Sequence, residues 1–311
     1  MKLKLTTATP LHVGNGQTLS PYSDYVVGAD GTVYLIDNQK LNDQLAQLGE
    51  QAIDQFVSLV MGSMRTSDTF SLKSFLEKYE IDYKKIAKFS WKTNAAIKNE
   101  EIHATIKTGS RAYVPGSSIK GAVRTALLYF HRKEEGYNLE KAMVDIYGKR
   151  GAKNPNGEDV FGAHDKDVFK FLHVSDTSTL SPDEVGLVKT YTYDLAKKEA
   201  TIPITKEVIP ENKHLYFGLQ CKARKEHNLP AKFHYLNEDK EYTGERFVLS
   251  RVNQFYLQLL ESELSLLKKL NNAQIKPLLQ VYEQLYKTAE KYDQEKNGAV
   301  IRLGSGKTFL D

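Results

Sequence analysis

Residues Tyr113–Phe130 read YVPGSSIKGAVRTALLYF, and the rest of the chain is organised around them. Pro115-Gly116 is a turn pair that stops the short apolar segment before it. Ser117 or Ser118 can cap the helix that follows, its hydroxyl accepting a first-turn backbone N–H. Ile119, Ala122, Val123, Ala126, Leu127 and Phe130 fall at the i, i+3, i+4, i+7 spacing of one buried helix face. Lys120 and Arg124 lie four apart on another face, close to the helix start. Cations there oppose the helix dipole at a cost of about 0.3–1 kcal/mol each. No acidic residue occupies the first turn to offset them. Free N–H groups, two serines and two cations make a competent anion site, with phosphate the usual ligand. An ordinary helix entry carrying two solvated basic side chains has the same pattern.

With 311 residues, the chain has room for two ordinary domains or one elaborated domain. A hydrophobic share of 41% is enough to bury a real core. The net charge of +4 permits a polyanionic partner without demanding one. Cys221 is the single cysteine, which excludes an intrachain disulfide and a multi-cysteine zinc site. The start, MKLKLTTATP, alternates like a strand and lacks a leader's apolar run, so the expected setting is cytoplasmic, without membrane.

Upstream, the alternation at residues 2–9 is followed by Pro10-Leu11-His12-Val13-Gly14-Asn15-Gly16, a glycine turn that lets backbone approach a ligand. It is not the dinucleotide fingerprint, because neither a third glycine nor a helix pattern follows. Tyr25–Val27 and Thr32–Ile36 flank Gly28-Ala29-Asp30-Gly31 as a hairpin, and Asp37 or Asn38 caps a helix. From there to Gly109 the pattern is mostly helical. Lys84, Lys85, Lys88 and Lys92, with Phe89 and Trp91, form either a basic aromatic surface for single-stranded nucleic acid or a solvated helix face.

Downstream, helix is expected over Tyr137–Tyr147 and a flexible loop over Gly148–Asp159. Strands are expected near Val168–Asp176, Val185–Asp194, Ala200–Pro210 and Leu215–Cys221, then helices near Arg246–Leu270 and Ala273–Tyr292. In the first of these helices Val252, Phe255, Leu259 and Leu266 form a core stripe. The closing GSGKT is no nucleotide-binding P-loop, since Ile301 stands where its first glycine is required.

PGSSIKGAVRTALL resembles the P-G-S-S-[IL]-K-G-x-[IVL]-R signature of the RAMP superfamily of CRISPR-associated RNA-binding proteins. In the same order, Thr9–Gly16 resembles its T-P-[LV]-H-[IV]-G-x-G segment and Val160-Phe161-Gly162 its V-F-G element. Phe171–Asp176 resembles its strand ending in S-D, Glu207–Pro210 its E-x-[IV]-P approach, and Arg302–Gly306 its R-[LVI]-G-x-G close. The resemblance implies an α+β fold of two ferredoxin-like (βαββαβ, RRM-like) domains with helical insertions and a helix-rich second half. The division expected is residues 1–158, with a helical insertion about 38–109, and residues 159–311.

The intervening Asp37–Ala112 block and the long helical second half favour the head subunit of the type III-A CRISPR Csm complex over its repeating backbone subunit. That likeness implies a non-catalytic subunit at the 3′ end of the crRNA, assisting crRNA maturation and assembly. Its partners would be crRNA, the backbone subunit, other Csm subunits and host nucleases that trim crRNA; no cofactor or metal is implied. Residues matching the motifs, and so expected at RNA or the adjoining subunit, are His12, Gly14, Asn15, Gly16, Ser117, Ser118, Lys120, Arg124, Arg302, Gly304, Gly306 and Lys307. Relatives that process precursor crRNA suggest the alternative, a metal-independent endoribonuclease with His12 as general base. Asp24 falls where the backbone subunit carries a cleaving aspartate, but its surroundings read as a turn.

Overall fold

The structure, a computed structural model, describes residues 1–62, 71–93, 96–138, 141, 157–194, 197, 199–270 and 275–305. Most of the helix and loop expected over Tyr137–Asp159 falls outside the described residues, as do Ala273, Gly306 and Lys307. Secondary structure is mixed α and β. Two compact units form, and they interleave along the sequence instead of dividing near residue 158. One comprises Met1–Ala8, Val114–Ser178 and His214–Asp311; the other comprises Thr9–Tyr113 and Thr179–Lys213. The cause is strand pairing across the expected boundary, because each unit builds its sheet from both halves of the chain.

In the first unit β1 (Lys2–Thr6) pairs antiparallel with β14 (His214–Cys221), which pairs antiparallel with β9 (Leu172–Val174). Helix α5 (Gly116–Glu134) lies between β1 and β9 in sequence, and α7 (Thr243–Leu270) follows β14. The run β–α–β–β–α with spatial order β1-β14-β9 is the split βαβ arrangement, without a fourth strand among the described residues. Alternation along β1 and β14 turns Leu215 and Leu219 inward, while α5 buries Ile119, Ala122, Val123, Ala126 and Leu127. Phe130 is only partly covered. Val252, Phe255 and Leu259 of α7 are buried, but Leu266 is not. The short α6 (Glu158–Phe161) and α8 (Lys276–Glu295) belong to the same unit.

The second unit does not repeat that order. Its four-stranded sheet runs β10-β13-β6-β2, from Gly186–Thr190, Ile204–Val208, Ile102–Thr105 and Gly14–Leu19. The expected hairpin forms as β3 (Tyr25–Val27) and β4 (Val33–Ile36), which β5 (Ala87–Trp91) extends to three strands. Asp37 caps α1 (Asn38–Leu48) by accepting from the N–H groups of Gln39 and Lys40. Helices α2 (Glu50–Val60), α3 (Leu72–Lys78) and α4 (Tyr83–Ile86) follow. The expected helical insertion therefore ends at Ile86. AKFSW alternates with period two, and β6 follows it, with β7 (Lys107–Thr108) paired to β8 (Arg111–Ala112). Trp91 is buried and so withdrawn from the basic aromatic surface that was one of the two readings of this stretch, and the solvated helix face, the other, is a strand over Ala87–Trp91. The small hairpin β11 (Tyr193–Asp194) and β12 (Glu199–Ala200) flanks Lys197. No described helix is long and apolar enough to cross a membrane.

Candidate nucleic-acid interface

Helix α5 starts where two sequence segments are clamped together. Thr177 N–H donates to Val114 O at 3.1 Å, and Val114 N–H donates to Thr177 Oγ1 at 2.9 Å. One turn residue on, Gly116 N–H donates to Asp176 Oδ1 at 2.7 Å. The P-G-S-S and S-D segments thus meet at the helix N-terminus. Glycine is required there, because a Cβ at residue 116 would lie 2.4 Å from Val174 O.

This geometry corrects two expectations. Neither serine caps the helix: Pro115 holds the cap position without a side-chain bond, and the capping carboxylate is that of Asp176. Ser117 is exposed and Ser118 half-buried, with Ser118 N–H donating to Pro115 O at 3.0 Å. Nor is the dipole left facing cations alone. Asp176, sixty residues away in sequence, brings the negative charge that the first turn lacks.

Arg124 Nη1 donates to Asp167 Oδ2 at 2.8 Å, while Asp167 Oδ1 accepts from Phe169 N–H. The guanidinium lies 4.7 Å and 5.0 Å from the ring centroids of Phe161 and Phe169. Arg124 is therefore fixed by a carboxylate and an aromatic floor. Lys120 Nζ stands 6.0 Å from the Phe169 centroid, with burial lowering its pKa. Nearby His173, exposed on β9, is likewise shifted down by burial and by the charges of Lys222 and Lys120. His173 and Lys222 were absent from the expected set, though the alternation of FLHVSD and GLQCKA places both outward.

The glycine loop belongs to the other unit. Leu11 and Ile209 exchange two backbone hydrogen bonds of 2.8 Å, joining the T-P-L-H and E-x-I-P segments. His12 Nδ1 donates to Glu207 O at 2.7 Å, leaving Nε2 as the ring's open lone pair, and burial lowers the pKa. Glu207 itself is buried, with Lys107 Nζ 2.5 Å from its carboxylate. Beyond His12 the pairing shifts between Gly14 and Thr18, so Asn15-Gly16-Gln17 bulges outward. Gly16 has φ +82°, and Asn15 Oδ1 accepts from Gln17 N–H. Asp24 is a turn residue, accepting from Ser20 N–H at 2.7 Å.

Arg302 is in the first unit. Its Nη1 and Nη2 donate to Glu263 Oε1 and Oε2 at 2.8 and 2.5 Å, and Nη2 reaches Tyr282 Oη at 3.2 Å. The guanidinium is thereby committed within the first unit instead of being held out for a phosphate. Gly304 has φ +78°.

The sequence matches the RAMP superfamily over residues 4–309. The chain belongs to this superfamily. It is 26% identical over 323 residues to a Methanocaldococcus jannaschii protein described as CRISPR system Cms protein Csm5, covering all of this chain and 72% of that one. A Streptococcus thermophilus protein of the same description is 26% identical over 223 residues, covering 67% of this chain and 60% of its own. The crystal structure of T. onnurineus Csm5 superposes with TM-score 0.69 at 21% identity, covering 97% of this chain and 90% of that one. A chain in the cryo-EM structure of a Csm–crRNA–target RNA ternary complex of a type III-A CRISPR-Cas system gives 0.71 at 22%, covering 98% and 85%. At such identities these two superpositions speak for the RAMP fold.

Proposed function

We infer that the chain is a non-catalytic, crRNA-contacting subunit of a cytoplasmic type III-A Csm complex, of the Csm5 kind. It would sit at the 3′ end of the crRNA, beside the repeating backbone subunit, and assist maturation and assembly; any host nuclease partner would act there. The single observation carrying this reading is similarity to a Csm5 protein along the whole chain. Geometry adds a physical route. Lys120 and exposed Ser117, with exposed His173 in the field of both Lys120 and Lys222, offer cationic and polar groups to phosphates without reading bases. Sequence-blind contact suits a guide whose spacer varies. The Asn15–Gln17 bulge is a second proposed contact, within its own unit. Purifying the tagged chain from its host tests the reading: RNA bearing spacer sequences and other Csm subunits should come with it, and their absence would reject it.

One observation keeps the nuclease alternative in view: His12 holds its proton on Nδ1, leaving Nε2 available as a base. Incubating end-labelled repeat RNA with the chain in EDTA decides between the two. Intact RNA supports the binding subunit, whereas cleavage abolished in His12→Ala supports the enzyme.

A further inference from the structure

The sheet of the first unit has one face packed on its helices and one face open. Residues directed to the open face follow from the register: Lys2 opposite Gly218, Lys4 opposite Tyr216, Thr6 opposite His214, and Gln220 opposite His173. Lys222 continues the same parity beyond Gln220. These positions hold three lysines, two histidines and a tyrosine, but no carboxylate. A half-open antiparallel sheet ordinarily mixes both signs of charge on its solvent side, so this selection points to a polyanion.

Tyr216 carries the argument further. It lies on the central strand, and its side chain is an exposed large hydrophobic, 55% accessible. Its backbone is nevertheless fixed: Tyr216 N–H donates to Ser178 Oγ at 3.0 Å, and Tyr216 O accepts from Ser178 N–H at 2.7 Å. A rigid backbone under an open ring is what a stacking platform requires, because little side-chain entropy is sacrificed on binding. Two residues along the same face stands Gly218. A Cβ there would meet nothing closer than 3.6 Å, so the bare position is not demanded by packing. It leaves flat floor beside the tyrosine ring, with Lys2 opposite it and Lys4 opposite the ring.

We propose that this face is a stacking platform for a single-stranded RNA, with one base lying on Tyr216 over the floor at Gly218 and Lys2, Lys4 and Lys222 at the flanking phosphates. Aromatic stacking accepts any base, and the lysines follow the backbone, so the platform is sequence-tolerant. The choice of RNA as the polymer rests on the proposed function; the surface shares His173 and Lys222 with the surroundings of Lys120, whereas Tyr216, Gly218, Lys2 and Lys4 belong to it alone.

Fluorescence anisotropy with labelled oligouridylate, titrated against the full chain at several salt concentrations, tests it. Tyr216→Ala should weaken binding about 5- to 100-fold while Tyr216→Trp restores it. Gly218→Val, which fills the floor, should weaken binding with Tyr216 intact. Lys2→Ala with Lys4→Ala should flatten the salt dependence by about 0.7 in log–log slope for each phosphate no longer neutralised. Wild-type affinity in Tyr216→Ala, or equal binding of polyglutamate, would overturn the platform. If Lys120→Ala weakens binding and Tyr216→Ala does not, the platform fails while the helix-entry reading stands. The reverse pattern supports the platform and rejects the helix entry. No binding by the wild-type chain rejects the platform outright, whereas the helix entry is then judged by crosslinking in the assembled complex.

Discussion

Gly116 N–H donates to Asp176 Oδ1 at 2.7 Å, so the helix bearing the superfamily signature begins with a carboxylate already at its positive end. This bond joins two signature segments, P-G-S-S and S-D, and fixes where Ser117 and Lys120 emerge. Asp176→Asn keeps the hydrogen-bond acceptor but removes the charge, and should cost about 1 kcal/mol of stability in urea unfolding. Gly116→Ala drives a Cβ against Val174 O and should cost more, about 2–3 kcal/mol. Equal, negligible effects from both would mean that the clamp does not hold the helix entry.

The two signature cations of α5, Lys120 and Arg124, should behave differently. Lys120 has no carboxylate within salt-bridge distance among the described residues, so Lys120→Ala should weaken RNA binding and lower the salt slope by about 0.7 with stability unchanged. Arg124→Ala removes the partner of Asp167 and the cation over Phe161 and Phe169, so it should lower the melting temperature as well. Parallel anisotropy and thermal melts of both variants check the contrast.

How far the residues alone announced this arrangement depends on sequence distance. The buried face of α5, the β3–β4 hairpin, the Asp37 cap and strand β14 were legible because periodicity and capping are local. The Asp176 cap was not, since its partner lies sixty positions away and local sequence shows only the first turn. The same blindness hid the unit boundaries, which depend on β1 finding β14. Strand β5 was masked by the lysine-rich helix signal just before it, although Phe89 and Trp91 carried the alternation. Tyr216 was passed over because it sits in no superfamily motif; its exposure needs the sheet.

Arg302 and Glu263 form a charge pair in which the glutamate is buried. Removing only the cation leaves an unpaired buried carboxylate, so Arg302→Ala should cost about 3–5 kcal/mol. Replacing both residues by methionine should recover most of that stability. Urea denaturation of the single and double variants measures it, and a harmless Arg302→Ala would free the residue for another role.

Burial lowers the pKa of His131 to about 4, with Lys232 reinforcing the shift, Glu135 opposing it and Glu134 also near the ring. The unfolded histidine binds its proton near pH 6.5. The folded state therefore loses stability as pH falls through that value, and the decline saturates below about 4 at roughly 3 kcal/mol. Thermal melts from pH 7 to 4 should show this decline, and His131→Phe should show less of it. An identical pH profile in the variant would assign the decline elsewhere.

The central claim is that the entry of α5 touches RNA inside an assembled effector. Ultraviolet crosslinking of the complex purified from its host, with the crosslinked peptides identified by mass spectrometry, tests that most directly. RNA adducts should map to the segment from Tyr113 to Arg124. Adducts on the other subunits with none on this segment would contradict the account.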